Sequence, residues 1–95
     1  MNAAHVFRLY LNGGTPNSVR ALVNLYAICT RHFAGSHRIE VVDVLKSPRL
    51  ALEAGIVVTP TLVKVAPAPE LKIIGDLSDE EAVLHALGLP KKESV

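Results

Sequence analysis

The chain has 95 residues, enough for one domain to bury a core and too few for two. Hydrophobic residues make up 49% and charged residues 20%, which excludes disordered, collagen-like and low-complexity classes. A net charge of +1 and 4% aromatics leave neither a strong field for nucleic acid or anionic membrane nor a stacking platform for bases.

The elements follow in chain order. Residues 6–11 combine alternation with β-favouring types and break at Asn12-Gly13-Gly14, which predicts a strand and a turn. Thr15-Pro16 has the form of a cap followed by a first helical residue, where proline's missing N–H costs nothing. From there Val19, Leu22, Val23, Tyr26, Cys29, Thr30 and Phe33 predict a helix whose apolar stripe is buried, ending at Gly35. Residues 39–44 are β-branched and short, predicting a second strand largely covered on both faces. The long helix between these strands makes them parallel through a right-handed crossover. Ser47-Pro48 repeats the cap signal, and a short helix with Leu50, Ala51 and Ala54 runs to Gly55. Residues 56–65 read as an approach loop, a Thr59-Pro60 turn and a third strand. After the stiff Pro67-Ala68-Pro69 turn, residues 71–74 form a fourth strand antiparallel to the third. Ser78 and Glu81 have capping-box spacing at the head of a last helix with Val83, Leu84 and Leu87 on its apolar face, stopped by Gly88 and Pro90. The order βαβαββα is that of an α/β, thioredoxin-like domain over residues 1–95, with an ordered core at 6–88 and a polar tail at 89–95.

Chemistry is excluded more readily than assigned. A single cysteine, Cys29, allows no internal disulfide, CxxC pair or thiolate metal site, and His5, His32, His37 and His85 lack zinc-site spacing, so no metal and no cofactor is expected. Where a thioredoxin-like domain carries its dithiol, this chain has Gly14-Thr15-Pro16-Asn17. The Thr59-Pro60-Thr61 turn occupies the place of that fold's cis-proline, so Pro60 is expected to be cis. A glutathione site would use the same region, with Ser18 and the Asp76-Leu77-Ser78 turn holding the peptide. Cys29 on the apolar stripe reads as a small buried hydrophobe, and His85 as a cation near a helix C-terminus. Arg8, Arg20, Lys64 and Lys72 are singly spaced charges, and charge alone does not choose between solvated surface and partner contact. No stretch approaches the ~20 apolar residues of a membrane span, and residues 1–5 carry no signal-peptide pattern, so a cytoplasmic protein is expected.

Four blocks carry a resemblance. Asn12-Gly13-Gly14-Thr15-Pro16-Asn17-Ser18-Val19-Arg20-Ala21-Leu22, Val42-Asp43-Val44-Leu45-Lys46-Ser47-Pro48, Thr59-Pro60-Thr61-Leu62 and Ile73-Ile74-Gly75-Asp76-Leu77-Ser78-Asp79 together resemble the KaiB family of small circadian-clock proteins over nearly the whole chain. The resemblance implies a non-catalytic regulator that binds the hexameric ATPase KaiC, sequesters a KaiA-like protein and displaces a thioredoxin-like sensor kinase domain. It also implies a metamorphic chain, with a dimeric or tetrameric ground state of different fold beside the thioredoxin-like binding state. Carried onto this chain, the basic positions implicated in KaiC binding are Arg8, Arg20, Lys64 and Lys72. Glu40, Gly55 and Leu71 depart from the family, standing where clock-type relatives commonly carry basic residues. Ala86 stands where those relatives tend to carry Gly, and Ala favours helix by about 1 kcal/mol, so this chain is expected to lean toward the thioredoxin-like state. A family member acting outside a clock, as a stress-response or signalling adaptor, is the alternative; a glutathione-using thioredoxin-like enzyme is a third reading from another class.

Overall fold

The computed structural model describes residues 4–88. The expected tail at 89–95 and the Pro90 stop lie outside the described residues. Seven elements follow one another: His5–Leu11 (β1), Pro16–His32 (α1), His37–Asp43 (β2), Pro48–Glu53 (α2), Thr61–Ala66 (β3), Leu71–Ile74 (β4) and Glu80–Ala86 (α3). The strands lie in the order β2-β1-β3-β4, with β1 parallel to β2 and antiparallel to β3, and β3 antiparallel to β4. This is the thioredoxin-like arrangement. Length makes the first crossover work, because 17 helical residues run ~25 Å and so carry the chain back along the ~23 Å of β1.

Strand alternation divides the core in two. Phe7, Leu9 and Leu11 of β1 and Leu62 of β3 meet Ala21, Leu25, Ile28 and Cys29 of α1 together with Leu77, Val83 and Leu84. On the opposite face Tyr10, Val42 and Val63 pack with Ala51 of the short α2.

Three local expectations change. The buried side of α1 is made by Ser18, Ala21, Leu25, Ile28 and Cys29, while Val19, Val23 and Tyr26 of the expected stripe are exposed. The helix is apolar on two sides, and the side with small residues near its start wins because it lets the backbone approach the sheet. Ser18 reinforces that choice, its hydroxyl accepting a hydrogen bond from the Asn12 backbone N–H at 3.1 Å. Cys29 and Phe33 belong to both stripes and are buried as expected. Next, β2 is an edge strand with Val41 exposed, not one covered on both faces. The exposed Val41 lies on the α1 side, in register with Leu9, whereas Val42 on the opposite side is buried with Ala51 of α2. Finally, α3 is capped by Asp79, whose Oδ1 accepts from Ala82 N at 3.1 Å, and not by Ser78. The Ser78 N–H is already donated to Asp76 Oδ1 at 3.0 Å, a local turn that moves the helix start by one residue. Neither Thr15 nor Ser47 makes a side-chain cap bond, so α1 and α2 begin on the fixed φ of Pro16 and Pro48.

Candidate functional site

The position of a thioredoxin dithiol is a shallow hollow lined by Asn12, Thr15, Pro16, Asn17 and Thr59. It contains no thiol, and Cys29 lies fully buried in α1, where desolvation pushes its thiol up to about 11 and keeps it protonated. The Thr59-Pro60 peptide is cis, and the buried Pro60 offers its carbonyl to the Gly75 N–H at 3.0 Å. Ser18, the hydroxyl that a glutathione site would use, is fully buried and engaged with Asn12, so it is not presented to a ligand.

The four basic residues of interest do not form one patch. Arg8 leaves β1 on the α2 side of the sheet, directly beside its parallel-strand partner Glu40. Its Nε donates to Glu40 Oε1 at 2.9 Å, and Arg38 pairs with Glu40 Oε2 at 3.0 Å. Glu40 is therefore an acid clamped between two arginines. Lys72 of β4 shares a pocket with Arg8, lined also by Tyr10, Leu50, Glu53 and Glu70. Its Nζ donates to the Ala54 carbonyl at 2.7 Å, where α2 ends. Gly55 has φ +71, and a Cβ there would lie 3.4 Å from Lys72 Nζ, so this turn favours glycine.

Arg20 lies across the molecule on α1. It donates to Asn17 Oδ1 and pairs with Asp76 Oδ2 at 3.5 Å. Asn24 of the same helix donates to the Asp76 carbonyl at 2.8 Å. The Asp76 carboxyl is held below its usual range by the Ser78 hydroxyl and N–H, with Arg20 adding to the effect. Lys64 departs from the expectation of an open surface charge, being only 6% exposed. It follows Leu62 on the α1 side of β3 and is registered against Phe7. Its cation joins burial in lowering the pKa of His5, burial being the larger cause.

A further cluster was not anticipated from the sequence. Glu80 at the head of α3 takes a hydrogen bond from Arg31 and lies 3.0 Å from His32 Nε2, so it joins the C-terminal end of α1 to the N-terminal end of α3. The available signal was basic residues at one helix end and an acid at the start of another, each favoured by the helix dipole. Arg31 first, then His32, lowers the Glu80 carboxyl from 4.5 to about 2. Because the folded value is depressed, the stabilisation is fully present above the unfolded value and is lost as pH falls from about 4.5 toward about 2. A Glu80→Gln variant is therefore expected to melt below the parent at neutral pH and to converge with it near pH 2. Thermal melts across that range check this, and a constant gap would refute it. The pair is exposed, so salt narrows the gap.

Among the described residues no group of three or more His, Cys, Asp or Glu is placed to hold a metal ion, and no helix is long and apolar enough to cross a membrane.

Comparison with known proteins gives three concordant findings. The KaiB domain family matches residues 8–89. The circadian clock oscillator protein KaiB of Gloeothece citriformis is 55% identical over 85 residues, covering 90% of this chain and 80% of that protein. The protein of the same name from Nostoc punctiforme is 54% identical over 89 residues, covering 94% and 86%. Among solved structures, the N-terminal domain of Synechococcus elongatus SasA superposes with TM-score 0.74 at 23% identity, covering 100% of this chain and 91% of that one. Mitochondrial thioredoxin 3 of Saccharomyces cerevisiae superposes with TM-score 0.72 at 18% identity, covering 92% and 80%. At these identities the two structures establish a shared fold and nothing finer.

Proposed function

This chain belongs to the KaiB family of circadian clock proteins, and from that premise we propose that it binds a KaiC-like ATPase and modulates the ATPase's phosphorylation state and output without catalysing a reaction itself. The observation that carries the reading is identity above one half over nine-tenths of the chain, on a thioredoxin-like scaffold with Gly14 and Asn17 at the dithiol position. Arg8, Arg20 and Lys72 are proposed as cations of the partner-binding surface, and Lys64 as a residue that acts through the packing of β3. A KaiA-like protein and a thioredoxin-like sensor kinase domain are proposed as further members of the same competition, and a homo-oligomer as the resting form. The fold shared with the SasA domain supports such a competition.

Titration of the chain against a purified KaiC-like ATPase, with and without ATP, tests the proposal. Nucleotide-dependent binding is expected, and Arg20→Glu should weaken it about tenfold by placing a like charge against acidic groups of the partner. Absence of binding with and without nucleotide would overturn the reading. A second reading, an adaptor outside a clock with a different partner, draws on Glu40, whose pairing with Arg8 and Arg38 neutralises part of the α2-side face.

A further inference from the structure

The outer side of β2 is the long open edge of the sheet. The strand has 7 residues, against 4 in the opposite edge strand β4, and no other described strand pairs with that side. In a parallel ladder each residue turns its N–H and C=O to the same side, and successive residues alternate. The Ser36 carbonyl accepts from the His5 N–H at 3.1 Å, and the Val44 N–H donates to the Leu11 carbonyl at 2.8 Å, so the even-numbered residues between them face β1. His37, Ile39 and Val41 therefore turn their backbone N–H and C=O groups outward, where such groups template pairing with another strand.

This edge is complementary to itself. When a second β2 runs antiparallel to the first with the two-fold axis at Ile39, Ile39 faces Ile39, His37 faces Val41 and Arg38 faces Glu40. The outward backbone groups then meet in hydrogen-bonded pairs, and Arg38 and Glu40 fall on the intervening positions, where opposite side chains lie closest. Arg38 is exposed and already pairs with Glu40 of its own chain at 3.0 Å, so the same two charges serve both contacts. Moving the axis to Glu40 would instead set Glu40 against itself, a like-charge pair.

The α1 side of the edge supplies the apolar part. Arg20, Asn24 and Arg31 turn one flank of α1 toward Asp76 and Glu80, which follow β4. Val19, Val23 and Tyr26 lie on the other flank, toward β2, and each is roughly half exposed, as is Val41 on the same side of that strand. Aliphatic side chains scattered singly over a surface need no explanation, but a group of them beside an open sheet edge marks an interaction site. In the two-fold arrangement both α1 helices lie on the same face of one continuous sheet, with these flanks lining the join.

We propose that two copies of this chain pair edge to edge through β2, antiparallel about Ile39, with Arg38 and Glu40 pairing across one face and Val19, Val23, Tyr26 and Val41 covered on the other. The contact is isologous, the form that closes at two copies. A net charge of +1 per chain opposes it little. The inference rests on the homo-oligomeric reading above, not on ATPase binding, and names a contact made within the thioredoxin-like fold.

The experiment is sedimentation velocity over a concentration series of the parent chain, of Arg38→Glu, of Glu40→Lys, and of an equimolar mixture of the two variants. Both substitutions lie on the sheet edge, and circular dichroism checks that each variant folds. The parent is expected to dimerise reversibly. Each variant alone is expected to dimerise about tenfold more weakly or worse, because the two-fold axis sets like charges face to face at both ends of the contact. The mixture is expected to recover most of the parent's affinity, since each new charge then faces its opposite on the other variant. A parent that stays monomeric overturns the homo-oligomeric reading and this contact with it. A parent that associates overturns the contact alone if both variants associate equally well, or if mixing them restores nothing.

Discussion

Replacing Phe7 by alanine is expected to lower the free energy of unfolding by about 3–5 kcal/mol, as large-to-small changes at fully buried aromatics do. Phe7 is completely buried on β1, a strand with neighbours on both sides, so no rearrangement of an edge can close the space. Its ring lies 5.5 Å from that of Phe33 at a 57° tilt, and Phe33 in turn contacts the His5 ring at 4.3 Å. The substitution therefore removes one ring of an aromatic group that closes the C-terminal end of α1 onto the sheet, and the ~0.5–1.5 kcal/mol of ring pairing lost is part of that range. A domain of this size has roughly 5–15 kcal/mol in total, so the variant should stand near the limit of stability. Urea denaturation measures it. Val23→Ala is the control, because it trims an aliphatic of the expected α1 stripe that the fold leaves exposed. It should change stability by no more than about 0.5 kcal/mol. Equal effects at the two sites would mean that α1 buries its other side.

At Leu77 the usual ranking of alanine and glycine is expected to reverse. Leu77 is buried in the main core, yet it has φ 62, the left-handed region that L residues avoid. The turn through Asp76 and Ser78 leads the chain into that conformation, and the buried side chain offsets its cost. Leu77→Ala keeps the unfavourable φ and gives up the burial, so a loss of about 2–5 kcal/mol follows. Leu77→Gly gives up that burial and the β-carbon's small share besides, but relieves ~1–2 kcal/mol of left-handed strain. Against this stands glycine's extra backbone entropy in the unfolded chain, ~0.5–1 kcal/mol. Leu77→Gly should therefore be the milder substitution of the two, by several tenths of a kcal/mol or more. Paired urea titrations decide it, and a glycine variant less stable than the alanine variant would show that the turn relaxes once the leucine is gone.

The candidate site was legible in the sequence only as a set of charges. Resemblance to family motifs selected Arg8, Arg20, Lys64 and Lys72, but neither spacing nor composition shows what a cation faces. Arg8 meets Glu40 because β1 and β2 are parallel and in register, a relation between residues far apart in the chain. Lys64 is buried because its position on β3 falls on the α1 side, although a lysine in an alternating strand reads as solvent-facing.

The sequence by itself determined the kind and order of the elements, since strand alternation, proline at helix starts and glycine at their ends act over a few residues. It also determined that no disulfide forms within these 95 residues, because a lone cysteine has no partner in the same chain. Tertiary structure decided which of two apolar sides of α1 is buried, that β2 is an edge, and that Asp79 caps α3. It also joined Arg31 and His32 to Glu80. Each of these outcomes depends on how closely one backbone can approach another and on which side chains the approach brings together, and those distances are set by packing across the chain, not by neighbours along it.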